Sequence, residues 1–144
     1  MSSAERIKLK RLRRLERLRD IARQTALAEA ARAEQTLAQV TNLEARTAAL
    51  IDAYRLRRDA QTGADLRQSQ QFVAGLTRIA DATAQDLVRA REAADARAAE
   101  AAEAERRRAA VDERIEAARQ RLARKAAENA QPSVPSGPNG TPLE

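Results

Sequence analysis

The side chains in this sequence that could do chemistry are charged, and they gather in two basic clusters. Lys8, Lys10, Arg11, Arg13, Arg14, Arg17 and Arg19 crowd the first 24 residues, where nine Lys or Arg stand against three acids, a net +6. Residues 106–125 hold eight basic residues, including Arg119, Arg121, Arg124 and Lys125, against Asp112, Glu113 and Glu116, a net +5. Clusters of this kind bind phosphates, anionic surfaces or acidic protein faces. They do not make a catalytic set. The chain has no His and no Cys, so it lacks the usual proton shuttle, any thiolate nucleophile and any disulfide. No glycine-rich phosphate loop occurs, no acids stand at metal-ligand spacing, and Asp112 and Glu113 are adjacent, so they point to different sides of a helix. A non-enzymatic protein with no cofactor, no metal and no small-molecule substrate is expected.

The elements that must carry these charges are helices. Aromatic residues are 1% and charged residues 33% of the 144, and much of the 43% apolar fraction is alanine. Burial yields roughly 25 cal/mol per Å² of apolar surface, so alanine cannot build a thick core. Abundant Ala, Leu, Glu and Arg with a period near 3.5 is instead the composition of long helices and coiled coils. From Ser3 to about Asp59 there is neither Pro nor Gly, and a first helix is expected over about 4–59. The stretch "DAQTGADLRQS", residues 59–69, reads as the turn (about 60–68), with Thr62, Asp65 or Ser69 able to cap a second helix. That second helix is expected over about 69–128, tolerating Gly75. All four prolines lie beyond it, so 129–144 reads as a disordered tail. The fold class is therefore all-α, a long antiparallel two-helix coiled-coil hairpin.

The second helix carries the seam most plainly. Stepping alternately by four and three from Leu76 reaches Ala80, Thr83, Leu87, Ala90, Ala94, Arg97, Ala101, Ala104, Arg108, Val111, Ile115, Ala118 and Leu122. Eleven of these fourteen positions are apolar and the register never slips, which is a sustained heptad pattern. Arg97 and Arg108 must reach water or meet an acid on the other helix. The first helix is less regular. Ala33, Leu37, Val40, Thr47, Leu50 or Ile51, and Tyr54 form a stripe toward the turn. Upstream, Leu9, Leu12, Leu15, Leu18 and Ile21 recur every third residue. Such a row drifts by about 60° per step, so some of it must leave the seam.

A turn centred on Gly63 would set residues 1–24 beside about 102–125, bringing the two basic clusters to one open end. Like charges side by side are destabilising, so that end reads as a surface for an acidic or polar partner, with leucines interleaved. Near the turn a second stripe appears. Phe72, Leu76, Ile79 and Thr83 fall within about 60° of one another on a helical wheel. The stripe shares Leu76 with the seam: either Leu50, Ile51 and Tyr54 of the first helix cover all of it as core, or Phe72, Ile79 and Thr83 lie off the seam as a surface for a partner. Other readings of the charge are weaker. No aromatic interleaves with the basic residues for base stacking, which weighs against nucleic acid. Lys8, Arg11 and Arg14 interrupt the apolar arc that a membrane-surface helix would need.

No stretch approaches the ~20 apolar residues of a membrane span. The basic N-terminus lacks a following apolar run, and Glu5, Glu16 and Asp20 count against a targeting helix. The expected location is cytoplasmic.

Two stretches, "LIDAYRLRRDA" before the turn and "QQFVAGLTRIADATAQDL" after it, resemble the FliJ family, the small coiled-coil component of the flagellar type III protein export apparatus. Members similarly carry an Ile-Asp and a Tyr before the turn, and Gln-Gln-Phe followed by spaced aliphatic residues after it. The likeness extends over nearly the whole expected hairpin in length, layout and basic N-terminus. It implies a stalk similar to that of rotary ATPases. Its open end inserts into the hexameric flagellar export ATPase ring and promotes ring assembly and activity. Near the turn it contacts the cytoplasmic domain of the export gate, and export chaperones are further partners. Carried onto this sequence, the gate contact falls on Phe72, Leu76, Ile79 and Thr83. The ring contact falls on Lys8, Arg11, Leu12, Arg13, Arg14, Leu15, Arg17, Arg119, Arg121 and Arg124. The implied location is the inner face of the cell membrane at the flagellar base, with peripheral attachment. The equivalent injectisome stalk proteins share the architecture. The high alanine and arginine content and the Pro-rich tail depart from the family pattern. The competing class is a basic coiled coil that binds nucleic acid.

Overall fold

The computed structural model describes residues 3–57 and 62–131. These residues form two long helices and no strand, α1 over Ser3–Leu56 (54 residues) and α2 over Gly63–Ala130 (68 residues). The helices form where strong helix formers run without Pro, and each carries an acid in its first turn, Glu5 and Asp65, where a negative charge meets the positive end of the helix dipole.

The boundaries differ from the expected ones by a few residues. α1 ends at Leu56 rather than 59, and the Arg57 N–H turns back to donate to the Tyr54 carbonyl at 3.3 Å. α2 begins at Gly63, well before residue 69, because Thr62 supplies the cap. Thr62 Oγ1 accepts from the Asp65 N–H at 3.1 Å, and its carbonyl accepts from the Leu66 N–H at 3.1 Å. The hydroxyl thereby satisfies one of the four N–H groups that a helix start leaves unpaired, and the carbonyl accepts the first bond of the helix itself. Asp65 and Ser69, the other candidate caps, lie inside the helix. At the far end Asn129 and Ala130 are helical, two residues past the expected stop. Residues 58–61 of the expected turn and 132–144 of the expected tail lie outside the described residues.

The chain divides into two compact units, one formed by residues 20–106 and the other by 1–19 with 107–144. In the first unit, α1 turns one row toward α2: Arg23, Ala26, Ala30, Ala33, Leu37, Val40, Thr47, Ile51 and Tyr54 are all buried or half-buried. They alternate by three and four with one gap, exposed Glu44. On α2 the matching row is Leu76, Ala80, Thr83, Leu87, Ala90, Ala94, Ala101 and Ala104, interrupted by exposed Arg97. The sequence left Leu50 and Ile51 as alternatives. Ile51 is buried and Leu50 is 47% exposed. The Thr47 hydroxyl, buried with its residue, donates to the Leu43 carbonyl at 2.8 Å and so costs nothing unpaired.

In the second unit the same rule holds. Leu9, Leu12, Glu16 and Arg19 of α1 are half-buried. Val111, Ile115 and Ala118 of α2 are buried, and Arg108 and Leu122 are half-buried. Every buried residue of α2 among those described belongs to the heptad row read from the sequence. Burying a whole Val, Leu or Ile side chain contributes about 1.5–3 kcal/mol, and one methyl far less. Ile51, Leu76, Val111 and Ile115 therefore carry more of the stabilisation than the buried alanines at 90, 94, 101 and 118.

Candidate functional site

Net charge separates the two units. Residues 1–19 and 107–144 hold 15 basic and 7 acidic residues, a net +8, whereas residues 20–106 hold 12 basic and 14 acidic, a net −2. The excess positive charge of the whole protein thus lies in the unit that contains both basic clusters except Arg23 and Arg106. Each unit presents one candidate surface.

In the basic unit, Lys8, Arg11, Arg13, Arg14 and Arg17 of α1 and Arg119, Arg121 and Arg124 of α2 are all exposed. Leu12 and Leu15 are half-buried, so part of each faces the other helix rather than a partner. The every-third-residue row of leucines drifts off as expected. Leu18 is 64% exposed, and Ile7, which the row did not include, is 50% exposed. Two shallow grooves lie among these cations. One, of about 400 Å³, is lined by Ser3, Arg6, Ile7, Leu9, Lys10 and Arg13. The other, of about 160 Å³, is lined by Glu5, Lys8, Ala118, Arg121 and Leu122. Lys125 and Glu5 form an ion pair between the helices. It accounts for one of the few acids in this unit and leaves the exposed arginines on the surface.

In the other unit, the surface near the α1–α2 connection is built on one aromatic pair. The Tyr54 and Phe72 rings lie 4.4 Å apart between centroids with planes tilted by 37°. The Arg57 guanidinium sits 5.1 Å from the Tyr54 centroid, within cation–π range. Phe72 remains 46% exposed and Ile79 49% exposed. Leu76 and Thr83, expected in the same docking stripe, are instead 8% and 3% exposed. The stripe is therefore not one open surface. Thr83 in particular, set off the seam by the stripe reading though it stands in the heptad row, lies on the seam. The seam is wide enough to take the near edge of the stripe, and Thr83 stands at heptad spacing from Leu76. What remains outside is Phe72, partly covered by Tyr54, and Ile79.

The polar residues of α1 that sequence reasoning passed over are those that replace leucine on its inner row. Continuing by four and three from Leu9 and Leu12 leads to Glu16, Arg19 and Arg23, all half-buried, while Ile21 is 59% exposed. Heptad spacing alone would have found them had it been followed through polar residues. Arg23 donates to Asp20 Oδ1 at 3.2 Å and to Glu105 Oε2 of α2 at 3.5 Å. Its pKa is raised above an already high ordinary value, first by the hydrogen bond to Asp20 and also by the charge of Glu105. A raised folded-state value means stability that is present below the unfolded pKa and lost only as pH climbs through the folded one. Arg23 thus stays cationic at every pH where the protein would be handled.

Comparisons with protein-family profiles, with curated proteins and with solved structures find no match to this chain. Among the described residues, no three His, Cys, Asp or Glu side chains come together as a metal set. Among the same residues, no helix is long and apolar enough to cross a membrane.

Proposed function

We propose that this chain is a non-enzymatic stalk and coupling protein of a bacterial type III protein export apparatus, flagellar by its sequence resemblance. It is built as an antiparallel two-helix coiled coil. The contacts that support the coiled coil climb in residue number on one helix as they fall on the other: Tyr54 with Phe72, Glu29 with Arg97, Arg23 with Glu105. The single observation that carries the functional reading is the charge partition, +8 in one unit against −2 in the other. The basic unit enters the ring of the export ATPase, with Arg13, Arg14, Arg17, Arg119, Arg121 and Arg124 meeting acidic groups there. The export gate is met near the α1–α2 connection by Phe72 and Ile79, with Leu76 and Thr83 holding the helix from its packed side. The protein works at the cytoplasmic face of the cell membrane, where export chaperones are further partners, and an injectisome stalk would use the same surfaces.

Adding the purified protein to its export ATPase at low salt should raise ATP hydrolysis and shift the ATPase toward hexamers, an effect that fades as salt screens the charges. No stimulation at low salt would sink the reading. The same +8 supports one alternative, nucleic-acid binding, although both aromatic residues of the chain, Tyr54 and Phe72, belong to the other unit. Salt-sensitive retention on DNA or RNA, lost when residues 1–24 are removed and accompanied by no effect on the ATPase, would favour that alternative.

A further inference from the structure

The basic unit, residues 1–19 with 107–144, carries its charge differently on the two flanks of its seam. About 50° outside the seam on one flank stand Lys8 and Leu15 of α1 and Arg107, Arg114 and Arg121 of α2. Lys8 and Arg121 line one groove of about 160 Å³ with Ala118 and Leu122, which puts the rows of the two helices on the same side. The next positions outward are Arg11 and Leu18 of α1 and Ala110, Ala117 and Arg124 of α2. Between residues 3 and 18 of α1 and between 107 and 127 of α2, no acid occupies any of these rows. The Glu5 that reaches the groove comes from the seam and pairs with Lys125. The opposite flank is mixed, with Asp112 and Glu116 of α2 standing among Arg6, Lys10, Arg13 and Arg119.

Lys8, Arg11, Arg114, Arg121 and Arg124 are all exposed. Like charges gathered on one flank repel one another, and the sequence of this unit outside the described residues adds a single acid, Glu144. The spacing is regular. Arg114 and Arg121 are seven residues, about 10.5 Å, apart along α2. Arg121 Nε donates to the Ala117 carbonyl at 3.4 Å, which folds its side chain back along that row. Apolar groups lie between the cations: exposed Ala117, Leu18 at 64% exposure, and the open edge of half-buried Leu15.

We propose that this flank docks an acidic helix of a partner protein, laid along α2 as a third helix of the coiled coil. Glu or Asp at every seventh position meets Arg114 and Arg121, and small apolar side chains between them cover Leu15, Ala117 and Leu18. A helix packed along another repeats its facing side chains with the same seven-residue period, so its carboxylates keep register with the guanidinium groups. Guanidinium forks then pair with carboxylates through two parallel hydrogen bonds. A nucleic acid fits this flank less well. Phosphates offer no apolar surface to Leu15, Ala117 and Leu18, and no aromatic residue belongs to this unit for a base to stack on. The occupant's chemistry follows from this flank alone and holds whether or not the protein serves in export.

The probe is a dye-labelled synthetic helical peptide of several heptads, with Glu at every seventh position and Leu and Ala beside it on the same face. One control peptide carries Lys in place of Glu, and another has the same composition with the seven-residue spacing broken. At about 0.15 M salt, where charge on the far flank is screened, the glutamate peptide should bind the full chain saturably in fluorescence anisotropy. Each control should bind at least about tenfold more weakly. Arg114→Glu with Arg121→Glu should weaken the glutamate peptide by about tenfold or more and admit the lysine one. Arg114→Gln with Arg121→Gln removes the charge alone and should also weaken the glutamate peptide, with helicity unchanged by circular dichroism. Arg6→Glu with Lys10→Glu, the same change of charge on the mixed flank, should leave binding within about twofold. Four outcomes overturn the proposal: no binding of the glutamate peptide, equal binding of either control, equal losses from the two flanks, or a DNA oligonucleotide that displaces the labelled peptide more readily than unlabelled peptide does.

Discussion

Arg97 stands on the row of small side chains that α2 turns toward α1, and there its Nη1 donates to Glu29 Oε2 of α1 at 2.9 Å and to Glu100 Oε2 of its own helix at 3.0 Å. The heptad pattern required an arginine at that position either to reach water or to meet an acid, and it does both: its side chain is 46% exposed. Exposed ion pairs of this kind are worth about 0–1 kcal/mol. Arg97→Ala is therefore expected to lower stability by no more than about 1 kcal/mol. Arg97→Leu, which restores the apolar repeat, should leave it unchanged or raise it. Urea unfolding followed by circular dichroism measures both, and a large loss with leucine would show the pair to be a structural requirement.

Leu76 and Ile79 are three residues apart and differ in what covers them, at 8% and 49% exposure. Leu76→Ala opens a cavity between the helices and is expected to cost about 2 kcal/mol or more. Ile79→Ala should change stability by less than about 0.5 kcal/mol while weakening the proposed docking to an export gate. The split between thermal midpoint and binding in a pull-down or calorimetric titration separates packing from docking. Equal destabilisation by both variants would make Ile79 a core residue.

Thr62 determines where α2 begins. Replacing it with alanine removes the hydroxyl acceptor of the Asp65 N–H and should cost about 1 kcal/mol. The loss should appear as faster amide exchange in the first turn of α2 and little change farther along. Thr62→Asp should restore protection, because a carboxylate also accepts that bond and suits the helix N-terminus.

Gly75 sits inside α2 with no positive φ and nothing within 4 Å of the position a Cβ would occupy. Gly75→Ala should therefore raise stability by up to about 1 kcal/mol, the difference in helix propensity. A lower unfolding midpoint would reveal a packing demand on that position.

Much of this protein was legible in one dimension. Two helices follow from long runs of helix formers without Pro, and the α2 seam from Leu76 to Leu122 could be read residue by residue, because heptad spacing needs only the helix period to assign a side chain to the packed face. The unbalanced charge was visible in the same way, since charge is counted and needs no fold. Three matters depended on tertiary structure. α1 keeps its three-and-four rhythm through Glu16, Arg19 and Arg23, where hydropathy loses it, because its row is set by facing α2 and not by its own composition. The stripe of Phe72, Leu76, Ile79 and Thr83 is one arc on an isolated wheel, yet the neighbouring helix buries Leu76 and Thr83 and leaves Phe72 and Ile79 at the edge. The groove at Lys8, Ala118 and Arg121 joins residues from both helices. A helical period says which way a side chain points on its own helix. Which of those faces stays open is decided by where the second helix lies against it.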